Sequence, residues 1–471
     1  MLSLFSHKNK YIYMTLCIIW YFGDILCWYR SPLPVEKDGL ALTFNSMMQH
    51  LLHGQFDVDP DTVGKEGFLH NGHVYAYWGV LPAFFRLPLM LLHNGLHIDL
   101  TRLSCAIAAI IMFLINCKTL DYISNKFSSD TLWLKNLLLV AISLSGMQIC
   151  FLCSSLYQEV CLWALVFGML FVHWALRTCL TEEDIPKALI WMSIASVLAL
   201  LTRVSMGIGL YAAEGLLILV ILWRCRSAPL LSRRWLQYSA LAILILIAGL
   251  AITAEINIQR WGNPLTFANY SLYLYNADFP DRMIRTQQYG LFNIQRIPLG
   301  LIYFFFPLWA FQDSSGHFFF QNTFTRLIDA AELPPSSFFL TDGIFLLLGG
   351  IFLLSFIKPK LQTINFKVSA LAIMAGLTIP ALLMLMAISM NFRYRAEFYP
   401  LIMFMGFMGA LPASRISTKN KWFKPTCISL VVIGVIASHF TLLLYDVSAL
   451  GPATRFMKNG VVAYYLNHLG L

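Results

Sequence analysis

YIYMTLCIIWYFGDILCWYRSPLPVEKDG, residues 11–39, is the stretch on which the fold turns. Its first part, Tyr11–Tyr29, is almost wholly apolar and long enough to cross the roughly 30 Å hydrocarbon layer of a bilayer. A short basic start (His7, Lys8, Lys10) precedes it, and no small-residue cleavage site follows. The segment therefore reads as a retained signal anchor with its N-terminus in the cytoplasm. The polar chain that leaves it, carrying Glu36 and Asp38, is then expected outside.

The rest of the chain repeats the pattern. Of 471 residues, 58% are hydrophobic and only 12% charged, against about 25% charged in soluble domains; the mean hydropathy is +0.67. Apolar runs of spanning length are expected at 11–29, 102–123, 133–153, 159–177, 186–202, 204–223, 236–256, 340–357, 367–389, 396–413 and 426–445. These make an all-α polytopic membrane protein of about eleven transmembrane helices. The bundle fills residues 1–445, with two large non-cytoplasmic loops, 30–101 and 257–339, and a short non-cytoplasmic tail, 446–471. The net charge of +9 is an orientation signal rather than a nucleic-acid footprint. Basic residues such as Arg233, Arg234, Lys419 and Lys421 gather in the segments this topology puts inside, as the positive-inside rule requires.

Two apolar stretches, Tyr75–His93 and Arg296–Phe311, are broken by Pro82, Pro88, Pro298 and Pro307. Counting either as a span inverts the charge pattern downstream, so both read as interfacial or re-entrant helices. Trp78, Arg86, Arg296 and Trp309 suit such an interface. Asp38–Leu52 has helical spacing and ends before Gly54, a C-cap residue. Asp57, Asp59 and Asp61 lack the glycine and distal glutamate of an EF-hand and read as a solvated turn. The second loop, with Trp261, Tyr270, Tyr273, Tyr275 and Tyr289, resembles a sugar-binding or lipid-headgroup surface. Its Asn269-Tyr-Ser271 sequon is weak on its own. Cys150 and Cys153 form a CxxC that reads as a helix face, since no thioredoxin-like pattern surrounds it. Phe304–Phe306 reads as interfacial packing, and Glu214, midway along a span, as a hydrogen-bonding partner of a neighbouring helix. The sequence has no internal repeat, Walker A motif, GxGxxG or HExxH.

Polar residues converge on the expected outer face. Beyond Glu36 and Asp38 these are Asp24, better read as a structural partner of an arginine, and Tyr157-Gln158-Glu159. Thr202-Arg203 and Asn391–Glu397, with Arg393 and Arg395, complete the set. Ionisable groups next to hydrocarbon are expensive and are usually paired or functional. A carboxylate with arginines fits sugar transfer from a polyprenyl phosphate. The phosphate leaving group needs charge stabilisation, which guanidinium groups supply. The acceptor hydroxyl needs one base, unlike the carboxylate pair of glycoside hydrolysis. A single displacement inverts the anomeric centre.

In order along residues 30–411 the chain resembles the GT-C superfamily of polyprenyl-phosphate-sugar glycosyltransferases, especially bacterial members similar to protein mannosyltransferases and aminoarabinose transferases. The matching segments are Glu36-Lys37-Asp38-Gly39, Tyr75–Pro82, Glu159, Leu201-Thr202-Arg203, Asn257–Pro264 around Arg260, and Arg393–Pro400. The resemblance implies a catalytic base at Asp38 with Glu36 beside it. It implies donor-phosphate contacts from Arg203, Arg393 and Arg395, and substrate positioning by Glu159, Tyr157, Tyr75, Tyr394 and Arg260. Lys37 and Gly39 replace a second acid and an aromatic found in many relatives, so Glu36 reads either as a ligand of a divalent cation (Mg or Mn, with Asp38) or as a fixture of the loop. The implied partners are a polyprenyl-phosphate sugar donor, a glycan, lipid or protein acceptor and membrane lipid, in a bacterial inner membrane. A transporter or flippase of lipid-linked sugars predicts mid-membrane charges and inverted repeats, which this pattern lacks. A catalytically silent scaffold relative is the remaining alternative.

Overall fold

In the computed structural model, the residues described are 7–23, 25, 39–127, 131–151, 154–226, 229–307, 311, 319–332, 336–357, 367–416, 420–447 and scattered positions after 462. Helix α1 (His7–Phe22) begins the bundle. The first large loop then carries α2 (Thr43–Leu52), α3 (Pro60–Val63), the antiparallel hairpin β1 (Phe68–His70) with β2 (His73–Tyr75), and α4 (Leu81–Phe84). Six helices follow: α5 (Thr101–Ser124), α6 (Leu132–Leu144), α7 (Leu156–Leu180), α8 (Ile185–Leu200), α9 (Val204–Cys225) and α10 (Pro229–Trp261). The second loop holds α11 (Pro280–Tyr289), α12 (Ile297–Phe305), α13 (Gln321–Leu327), β3 (Ala330–Ala331) and α14 (Phe338–Thr341). Helices α15 (Gly343–Ile357), α16 (Lys367–Met386), α17 (Tyr399–Ile416) and α18 (Phe423–Val447) close the bundle, with β4 (Ser389–Met390) pairing in parallel with β3.

Among the described residues, seven helical stretches are long and apolar enough to cross a membrane: 101–124, 132–151, 156–180, 204–225, 233–261, 367–386 and 423–445. The other expected spans each carry a helix too: α1, α8, α15 and α17. The expected span 133–153 is not one continuous α-helix. It tightens at Ser145 into a 3-10 turn, Gly146–Phe151, that buries Cys150; Cys153 lies outside the described residues.

Lipid tails are as apolar as leucine side chains, so membrane helices are drawn together by close packing over small residues. Two seams show this. Gly376 of α16 lies against the Ala213 backbone of α9, and Gly209 of α9 against Pro380 of α16. Gly409 and Gly406 of α17 lie against Leu348 and Phe345 of α15. Glu214 accepts from Ser193 at 2.5 Å and Ser196 at 3.2 Å, tying α9 to α8. The neighbouring-helix role expected for it is the observed one.

Both large loops lie at one end of the bundle. The 33 residues of α10 make a rod of about 50 Å, longer than the hydrocarbon layer. It carries Arg260 and Trp261 up into the loop layer. At the opposite end Lys10 and Lys135 both pair with Asp121, and Arg177 pairs with Asp184 at 3.4 Å.

Several local expectations are corrected here. The first-loop helix begins at Thr43, not at residue 38, after a turn over 39–42; Gly54 follows it at φ +73°, just past the C-cap His53. The proline-broken stretches do form short helices, but Trp78, Arg86 and Arg296 are buried rather than interfacial. Arg296 spends its guanidinium on the carbonyls of Gly290, Leu291, Leu327 and Met386, gathering that segment into a knot. Phe304 is core, packed on Phe398 at 4.8 Å, whereas Phe306 is exposed. Trp309 lies outside the described residues. The Asn269 side chain accepts from the Ser271 amide and hydroxyl, a local turn.

Candidate functional site

Helices α9 and α16 part beyond the Gly209–Pro380 contact, and a cavity of about 400 Å³ opens there. One wall is aliphatic, from Val204 and Ile208 of α9 and Leu383 and Met384 of α16. The other is polar, from Thr202, Arg203, Ser205, Ser389 and Tyr394. Tyr77, Trp78 and Gly79 of the first loop and Tyr270 of the second cover it. Gly79 is required by close approach: a Cβ there would collide with the Leu201 carbonyl. Beside it the Leu81 amide donates to that same carbonyl at 3.0 Å. This clamp docks the first loop on the α8–α9 turn that carries Arg203.

Arg203 sits in extended backbone just before α9, with φ −150°. Its Nε donates to Glu397, a fully buried carboxylate that also accepts from Ser205 at 2.7 Å. The Tyr394 ring lies 5.3 Å from the guanidinium carbon. Among the described residues, Nη2 meets only the Met384 sulfur, at 3.9 Å. One edge of the guanidinium is thus anchored, leaving the terminal nitrogens to an anion. Arg393 lies behind Tyr394, between the faces of Tyr157 (4.4 Å) and Tyr394 (5.4 Å). It has no ion pair within 4 Å among the described residues. Glu332 supplies a longer-range countercharge. Burial raises the Glu332 carboxyl above its ordinary pKa, opposed mainly by Arg393.

The two loops join around Phe68, which is fully buried with Tyr77, Trp261, Tyr270 and Tyr273 all within 6 Å, ring to ring. Bridges Phe68–Tyr273 and Leu274 N to Gly67 O stitch the backbones. The Tyr273 hydroxyl donates to Glu66 at 2.5 Å. Burial, then the Glu66 carboxylate, holds the Tyr273 pKa far above that of a free phenol. Burial, then the Tyr394 hydroxyl, pushes Tyr270 up to about 12. Both phenols therefore remain donors at neutral pH. A second cavity, of about 440 Å³, is lined by Gly39, Leu40, Asp61, Glu66, Tyr157 and Tyr275, among others.

The residues singled out from the sequence fall into distinct places. Glu36, Asp38 and Asp24 lie outside the described residues; Gly39, which follows Asp38 in the chain, lines the second cavity. Arg203 and Tyr394 line the first cavity, and Tyr157 the second, with Arg393 between. Arg395 is corrected as a phosphate ligand. It is buried and pairs with Asp342 at 2.8 Å, with Thr341 and Ser336 beside it. Glu159, in the first turn of α7, meets Arg86 of the first loop at the end of the bundle expected for it. It is fully buried in a bidentate pair with Arg86, whose Nη2 lies 2.7 Å from Oε2. Arg260 is buried under the first loop, where Nη1 donates to the Trp78 carbonyl at 2.9 Å. Tyr75 packs 5.8 Å from Trp261 and lines neither cavity. Arg260 and Tyr75 thus shape the loop layer from beneath.

The Asp57–Asp61 turn is not simply solvated. Asp57 accepts from His50 and His73, each at 2.7 Å, and Asp59 bonds to Ser46. Burial raises Asp57, but the bonds from His50 and His73 outweigh it and leave the carboxyl below its ordinary range. Among the described residues no group of three or more His, Cys, Asp or Glu side chains is placed to hold a metal ion. Glu66 is absent from the site read in the sequence, and Glu397 enters it as the end of the Asn391–Glu397 segment, with no role assigned. Nothing marks Glu66, since an acid between Lys65 and Gly67 reads as a solvated turn. Glu397 is legible only as part of the Arg393–Pro400 motif.

No protein-family model matches the chain, and no curated protein does either. Three solved structures from Archaeoglobus fulgidus are similar to it. The apo oligosaccharyltransferase shares 12% identity at a TM-score of 0.47, over 95% of this chain and 56% of that one. The same enzyme tethered to an acceptor peptide containing the NVT sequon shares 12% at 0.45, over 96% and 56%. The archaeal oligosaccharyltransferase AglB, in complex with an inhibitory peptide and a dolichol-phosphate, shares 15% at 0.45, over 93% and 56%. The chain spans just over half the length of these structures.

Proposed function

We propose that the protein is an inverting membrane glycosyltransferase. It takes a sugar from a polyprenyl-phosphate donor and passes it to an acceptor on the non-cytoplasmic face of a bacterial inner membrane. The observation that carries this reading is the mixed cavity at the parting of α9 and α16. Its aliphatic side is built from two membrane helices, as a prenyl tail requires, and its polar side presents Arg203 beside Tyr394.

In this reading Arg203 takes the phosphate, its orientation held by Glu397, and Arg393 adds positive charge behind Tyr394. Guanidinium groups suit a leaving phosphate because they stabilise charge and need transfer no proton. Asp38 is the proposed base, with Glu36 next to it. The acceptor oxygen bonds to the anomeric carbon as the bond from that carbon to the phosphate oxygen breaks. Asp38 takes the hydroxyl proton, and the polyprenyl phosphate leaves with the bonding electrons. Glu36 and Asp38 are also the pair proposed to hold a divalent cation if the reaction uses one. Dialysis against EDTA and readdition of Mg or Mn reads it out, with transfer following the cation if the acids hold one.

The test uses membranes containing wild type or Asp38→Asn, supplied with radiolabelled polyprenyl-phosphate sugars. Wild type is expected to move label to endogenous acceptors. Asp38→Asn, at equal membrane abundance, is expected to lose at least about a hundredfold, the usual scale of a lost general base. Full activity in Asp38→Asn would remove Asp38 as the base. Transfer from no donor in wild-type membranes would overturn the function.

A further inference from the structure

Resting on the glycosyltransferase reading, we infer that the acceptor is a saccharide, bound in the second cavity between Glu66, Tyr157 and Tyr275. Three observations carry this.

The first is a carboxylate with capacity to spare. Glu66 is half-buried and has no cation within ion-pair distance among the described residues, because the adjacent Lys65 is taken by Asp278 at 2.5 Å. Its neighbours are phenols: Tyr273 donates to Oε2, and the Tyr157 hydroxyl also interacts with it. An ionised carboxylate offers about four acceptor sites, and two phenols use two at most. The remainder suits a ligand rich in hydroxyl donors.

The second is a flat aromatic wall. Tyr275 lines the cavity and stacks on Tyr273 and Phe279, with interplanar angles of 28° and 21°. Such a rigid aromatic stack, apolar over the rings and polar at the phenol rim, suits a saccharide, which offers C–H and O–H groups together. A polypeptide acceptor would instead seek a free strand edge or an apolar groove. The β1 edge here is already bridged by Tyr273 at Phe68.

The third is position. Tyr157 lines this cavity, Tyr394 lines the lipid cavity, and the Arg393 guanidinium lies between their rings. One arginine layer separates the two. Gly39, next in sequence to the proposed base, is on the saccharide side, the side from which a base must meet the acceptor hydroxyl.

The test uses full-length protein in nanodiscs, with two independent readouts. Saturation-transfer NMR is run with methyl glycosides of glucose, galactose, mannose and N-acetylglucosamine, and separately with a blocked octapeptide mixture. Thermal shift with undecaprenyl phosphate reports the lipid cavity and the fold. At least one glycoside is expected to saturate on wild type. Its signal is expected to fall about tenfold in Glu66→Gln, the scale of one lost charge-assisted hydrogen bond, and by a similar factor in Tyr275→Ala, which removes the aromatic wall. Both variants are expected to keep the lipid shift. Glycoside signals equal in wild type and variants, no glycoside signal at all, or saturation of peptides alone would each overturn the inference. A missing lipid shift in wild type would sink the transfer reading instead, while the saccharide site stands or falls on the NMR result.

Discussion

Arg86 and Glu159 are separated by 73 residues in sequence and meet with neither side chain touching solvent. Removing one partner of such a pair leaves an uncompensated charge in a dry interior, at a cost of about 3–5 kcal/mol. Replacing both with apolar residues removes the charge altogether. Arg86→Ala and Glu159→Ala are each expected to lower thermal stability in detergent strongly, whereas the Arg86→Met/Glu159→Leu double variant recovers most of the loss. A double variant as unstable as the singles would show that the pair is more than mutual compensation. At this scale the sequence was legible for charge and silent on geometry. Arg203, Arg393 and Arg395 share the same residue type at the same expected face. Only the fold separates the one that faces a cavity from the one locked to Asp342. The burial of Glu159 was hidden for the same reason, because its partner comes from a loop far away in the chain.

Among elements, the α9–α16 seam sets the floor of the first cavity, the one proposed to hold the lipid. A side chain at Gly376 would strike the Ala213 backbone, which cannot move aside as a flexible side chain would. Gly376→Leu is expected to lower stability by about 1–3 kcal/mol, the usual cost of overpacking, and to weaken stabilisation by undecaprenyl phosphate. Gly350→Leu is the control, since a Cβ at Gly350 meets nothing within 4 Å. Thermal melts of the two variants check the contrast, and equal melting points would refute the role of the seam. Elements of this kind were the most legible part of the sequence, because spanning runs stand out by hydropathy alone. Boundaries in the loops were less so. The turn over 39–42 and the break at Ser145 are decided by contacts that local pattern does not encode. The His50–Asp57–His73 clasp was hidden because acids in a turn look the same with or without distant histidines.

For the whole molecule, the expected orientation follows from where the basic residues gather. Reporter fusions after Arg234 and Lys421 are expected to signal from the cytoplasm, and a fusion after Asp278 from the other side. A non-cytoplasmic signal at Arg234 would reverse the bundle and remove the proposed active face. The placement of both large loops at one end of the bundle accords with the expected topology, since six helices separate them. What composition could not convey is how the loops interlock through Phe68.

That interlock, and the spread of the lipid cavity from Tyr77 to Tyr394, bears on how the protein comes into being. The wall residues are synthesised more than 300 positions apart. A nascent chain halted between Tyr270 and β4 carries the aromatic roof and Arg203 but lacks Tyr394 and the Glu397 anchor. If the cavity holds a carrier lipid as proposed, the ribosome must deliver most of the polypeptide to the membrane before that lipid can be gripped, and biogenesis itself would keep half-made copies from drawing on the pool.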